Sequence, residues 1–113
     1  MSSKNKIELW EILVPTIIGT RPVRTKHHKM WDNFVKKVSG GLTILKPAKG
    51  IWIEPETKTV YDERVIPVRI ACTKNQILQI INFTINHYKQ KAVMAYKLSS
   101  EVLIIENKSF EDK

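Results

Sequence analysis

The sequence is short of acidic residues, of cysteine and of long apolar runs. Eleven acidic residues stand against nineteen basic ones, a formal net charge of +8 in 113 residues. That imbalance excludes an acidic domain and favours anionic partners: a nucleotide, nucleic acid or an acidic protein surface. A single cysteine, Cys72, excludes an internal disulfide, and in the absence of an export signal it points to a reducing, cytoplasmic setting. No apolar run approaches the ~20 residues of a membrane-spanning helix. The opening Met-Ser-Ser-Lys-Asn-Lys has neither the apolar core nor the cleavage site of a secretory signal. Also missing are a phosphate-binding glycine loop, a nucleophile elbow, a dinucleotide fingerprint and the aromatic motif of ribonucleoprotein-type domains.

What is present describes one domain over residues 1–113, with flexible ends at 1–6 and 107–113. The 42% hydrophobic and 27% charged content is that of an ordinary globular chain. Residues 41–72 read as two strands and their hairpin, with a bend at Lys46–Gly50 and a turn at Pro55–Thr59. Pro67 within the returning strand predicts an edge or a bulge there. Residues 7–18 predict a strand that is largely apolar on both faces. One face would carry helices, and the other needs a ligand, a partner subunit or a second sheet.

Two helices follow from the period. Met30, Trp31, Phe34, Val35 and Val38 form an amphipathic stripe, with Thr25 as expected N-cap and Ser39-Gly40-Gly41 as stop. Thr73-Lys-Asn-Gln76 is a capping-box pattern ahead of a second, broadly apolar helix. Ala92–Leu98 and Glu101–Ile105 predict a closing hairpin. The order is βαββαβ plus a C-terminal strand, an α+β ferredoxin-like sandwich whose antiparallel sheet carries two helices on one face.

Gly41-Leu42-Thr43-Ile44, Lys49-Gly50-Ile51-Trp52, Tyr88-Lys89-Gln90 and Ala92-Val93-Met94 resemble a family of small bacterial and phage proteins of unknown function. The resemblance spans most of the chain and implies the fold, with little about chemistry.

Candidate functional residues fall into four groups. Arg21, Arg24, Lys26, His27, His28 and Lys29 form a basic loop that feeds a helix start, an arrangement suited to phosphate. Its alternative is a solvated loop. Trp10, Trp31, Trp52, Tyr61 and Tyr96 include possible stacking platforms for a base, with Trp31 expected in the core and Trp52 near Lys46 and Lys49 half-exposed. Glu11 and Arg69 interrupt apolar strand faces and form a possible open-face pair. His27, His28 and His87 make a poor metal set, and Cys72 is a packed residue or a thiolate stabilised at a helix start.

The ranked expectations are a non-catalytic binder of an anionic ligand using the basic loop with Lys49 and Trp52, without cofactor or metal. Next come a phage-type accessory or inhibitor protein that binds an acidic protein, and a small hydrolase or isomerase using His27 or His28 with Glu54 or Asp62. Apolar surface left on the sheet and on the second helix predicts a homo-oligomer.

Overall fold

Eight residues of β1 (Glu8–Pro15) pair antiparallel with the C-terminal part of β6 (Val60–Cys72), in an unbroken register from Glu8 opposite Cys72 to Pro15 opposite Val65. The computed structural model describes residues 6–110; of the ends predicted at 1–6 and 107–113, residues 1–5 and 111–113 lie outside them. β7 (Ala95–Ser99) lines the other side of β1, and β4 (Thr43–Ile44) and β5 (Ala48–Ile53) both pair with β6, giving the order β4-β6-β1-β7. α1 (Thr25–Ser39) and α2 (Lys74–His87) pack on one face, so the antiparallel α+β ferredoxin-like sandwich expected from the pattern is the observed fold.

The two-residue period of the strands sorts their side chains. Trp10, Ile12 and Val14 of β1 and Val68, Ile70 and Cys72 of β6 turn to the helices and are buried with Trp31, Val35, Ile77, Ile80 and Tyr88. Trp31 carries a polar atom into this core, and its indole N–H donates to the Thr84 hydroxyl at 2.8 Å. That hydroxyl in turn donates to the Ile80 carbonyl, so the cluster is internally satisfied.

Several local expectations are corrected. Arg24, not Thr25, is the N-cap of α1, and Thr25 already lies inside the helix: the Arg24 carbonyl accepts from His27 and His28, and its side chain caps nothing. Gly40 ends the helix at φ 90°, which glycine adopts without penalty. The Thr73–Gln76 capping box forms in full. Pro67 sits within the central β6, but opposite the break between β4 and β5, where its carbonyl accepts from Leu45 at 2.9 Å. Its missing N–H therefore leaves no hole in a ladder. Gly19 and Thr20 close a small extra hairpin, β2 (Ile17–Ile18) with β3 (Arg21–Pro22). α2 is less buried than its composition suggests, with Leu78 half-exposed.

The expected C-terminal strand does not form. After β7 the Ser99 hydroxyl and the Glu101 backbone close a tight turn on each other, and residues 101–106 run on without a strand partner among the described residues. The β5–β6 hairpin also leaves the body as an arm, since β1 covers only Val65–Cys72 of β6. The Cα radius of gyration, 16.1 Å, exceeds the ~13 Å of a compact chain of this length.

Replacing Thr84 by Val keeps the volume and leaves the Trp31 N–H buried without an acceptor. The expected loss is about 1–3 kcal/mol of unfolding free energy in urea titration; an unchanged midpoint and slope would contradict this account of the core.

Candidate functional site

The basic loop divides into three environments. Arg21, Arg24 and His27 line a shallow cleft of about 240 Å³ together with Ile18, Pro22 and Val23. The β2–β3 hairpin holds Arg21 there, and the start of α1 holds Arg24 and His27. No acidic residue occupies the first turn of α1, so nothing on the helix itself offsets the positive end of its dipole. Lys26 and Lys29 are exposed on α1 and line neither this cleft nor the next one.

His28 turns inward. It lines a cleft of about 140 Å³ between α1 and the sheet with Asp32, Trp31, Val14, Ile44, Ile66 and Val68. Its Nδ1 lies 2.7 Å from the hydroxyl of the fully buried Tyr88. Burial pushes the His28 pKa down and the Asp32 pKa up, and it pushes the Tyr88 hydroxyl well above its usual range. Burial thus favours the neutral imidazole beside the Tyr88 hydroxyl.

His27 and His87 form a reciprocal pair that no spacing in the sequence announces. Their rings stack with centroids 3.7 Å apart. Each Nε2 meets the other residue's backbone carbonyl, at 2.7 Å and 2.8 Å. Because a carbonyl only accepts, both Nε2 atoms carry protons, and the pair clamps the start of α1 to the end of α2. The catalytic partners considered for these histidines lie elsewhere: Asp62 pairs with Lys49 at 3.4 Å on the arm, and Glu54 closes the arm's turn with Lys58 and Thr59.

Lys49 and Trp52 therefore do not join the basic cleft. Trp52 stacks on Tyr61 across the arm, centroids 4.5 Å apart, and donates to the Glu63 carboxylate. The arm begins beside Arg64, whose carbonyl accepts from the Thr16 hydroxyl. Tyr61 is three residues further on, ~10 Å of strand. Trp10 is buried, with its indole N–H donating to the Cys72 carbonyl, and Trp31 is core as expected. Cys72 is fully buried, and burial pushes its thiol up to about 11, which makes it a packed thiol rather than a stabilised thiolate.

On the sheet face away from the helices, Glu11 and Arg69 stand opposite each other in register and pair through Arg69 Nε and Glu11 Oε1 at 3.0 Å. Tyr96, opposite Glu11 on β7, donates its hydroxyl to Oε2. The sequence contained Tyr96 as an aromatic candidate, but its partner became visible only with the β1–β7 register. The Tyr96 hydroxyl, followed by Arg69, outweighs burial and holds the Glu11 carboxyl below the usual range.

A folded-state pKa below the unfolded one means that the stabilisation by Glu11 is present above pH ~4.5 and is lost as pH falls through the folded value. Glu11→Gln is therefore expected to lower the thermal midpoint at neutral pH, and the difference from the unaltered chain is expected to shrink steadily below pH ~4.5. A difference independent of pH would contradict the ionised pair.

No family model matches the chain, and no curated protein sequence does. Among solved structures, the fold is similar to that of a phage SAM lyase in complex with S-methyl-5'-thioadenosine, with a TM-score of 0.63 and 14% identity over 95% of each chain. It is also similar to CutA1 of Oryza sativa (TM-score 0.62, 9% identity, 96% of this chain and 89% of that one). A third similar structure is the divalent cation tolerance protein of Thermus thermophilus (TM-score 0.61, 10% identity, 91% and 89%). What the chain has in common with all three is the fold.

Proposed function

We propose that this chain is a small, non-catalytic binding protein for an anionic ligand, a nucleotide or nucleic acid, and that it works as a homo-oligomer. The observation that carries the reading is the convergence of Arg21, Arg24 and His27 on one cleft at the start of a fifteen-residue helix with no acidic first turn. Guanidinium forks and helix N–H groups both suit a phosphate. Basic side chains at that helix end oppose its dipole, and a bound anion would cancel the opposition. The ligand set is narrower than the loop: Arg21 and Arg24 take the anion, the His27 ring forms a wall, and Lys26 and Lys29 contribute only long-range charge.

A phage SAM lyase of the same fold holds a nucleoside thioether, which supports a nucleoside-sized ligand in this architecture as analogy of fold. The net charge of +8 suits an anion better than the divalent cations named for the CutA1 proteins. The phage or bacterial setting suggested by the sequence fragments, and a cytoplasmic location, belong to the same proposal.

Titration with adenosine 5'-monophosphate and with a short single-stranded DNA, at low and moderate salt, tests it. Binding that weakens with salt is expected, and the double change Arg21→Ala, Arg24→Ala is expected to weaken it at least about tenfold, since each charge-assisted hydrogen bond is worth about 1.5–3 kcal/mol. Lys37→Ala, on the last turn of α1, serves as the control. Equal affinity of the double variant and the unaltered chain, or no binding of either probe, would overturn the assignment.

A further inference from the structure

Two parts of the chain are apolar and uncovered. In the run that follows β7, Leu103, Ile104 and Ile105 are 74%, 77% and 87% exposed. On the arm, Ile51, Ile53 and Val60 are exposed by 57–63%, and the ring pair Trp52–Tyr61 is about two-fifths exposed. Isolated two-stranded ribbons are marginal in water, and three consecutive β-branched or leucyl side chains in solvent are an edge-pairing hazard unless something meets them.

The backbone states what is missing. β6 has thirteen residues, and β1 pairs with only the last eight of them, Val65–Cys72. On that side Val60–Arg64 have no strand neighbour among the described residues, apart from the Thr16 hydroxyl at the Arg64 carbonyl. That is a five-residue length of open edge in line with the end of β1. The segment Val102–Glu106 is also five residues long, strand-forming in composition and free of ladder partners among the described residues. The Ser99–Glu101 turn sets it apart from β7, and none of the described residues covers Leu103–Ile105.

We infer that Val102–Glu106 of one copy adds as a strand to the Val60–Arg64 edge of a second copy. The main chain then supplies the missing ladder, and Leu103–Ile105 meet the apolar arm of the neighbour. The contact joins two different surfaces, so it repeats from copy to copy and closes as a ring when the rotation allows. This deepens the oligomer part of the proposed function and does not depend on the anion cleft, so either can fail alone.

Mixing two singly substituted chains tests it. Ile104→Cys is carried on a mass-tagged chain, and each position from Val60 to Arg64 is changed to Cys in turn on an untagged one. Adjacent strands place Cα atoms within the ~4.4–6.8 Å that a disulfide spans, and Cys72 is buried and does not compete. Mild oxidation is expected to give a tagged–untagged disulfide with at least one arm position and none with Lys37→Cys on α1. An oligomer by light scattering without a tail–arm disulfide would overturn the inference and keep the oligomer. A monomer at every concentration would overturn both.

Discussion

The register between β1 and β6 is the constraint on which the rest depends. With Trp10 opposite Ile70 and Ile12 opposite Val68, the large apolar residues fall on one face, where α1 and α2 cover them. The same register sets Glu11 opposite Arg69 on the other face. A slip of β1 by one residue would turn Trp10 and Ile12 to the open side and carry Glu11 under the helices, away from Arg69. The Tyr96 bond to Glu11 then ties β7 to the same register, so three strands share one polar fastening.

The architecture was legible because periodicity decides it. The stripe through Trp31 and Val35 and the Thr73–Gln76 box lie where the 3.6-residue period and the capping chemistry put them. Less was legible where side chains distant in sequence meet. The His27–His87 stack and the His28–Tyr88 bond each join residues sixty apart, which local pattern does not carry. Within the basic loop, six residues close in sequence separate in space, because helical rotation and burial turn His28 inward and leave Lys26 and Lys29 outside the cleft. The predicted closing hairpin failed for a related reason. Leu103–Ile105 have the composition of a strand, and composition does not say which chain supplies the partner.

The result is a domain with its own core and two unfinished regions. The cleft of Arg21, Arg24 and His27 lies where the β2–β3 hairpin meets α1, and the arm starts close by at the Thr16–Arg64 bond. The opposite charges on the open face already satisfy each other.

Amide hydrogen exchange across a dilution series tests most directly the claim that the sheet is completed by another copy. The account predicts slow exchange at Val60–Arg64 and Val102–Glu106 in concentrated solution, and protection lost together at both segments on dilution while β1 stays protected. Fast exchange of both segments at every concentration would contradict it.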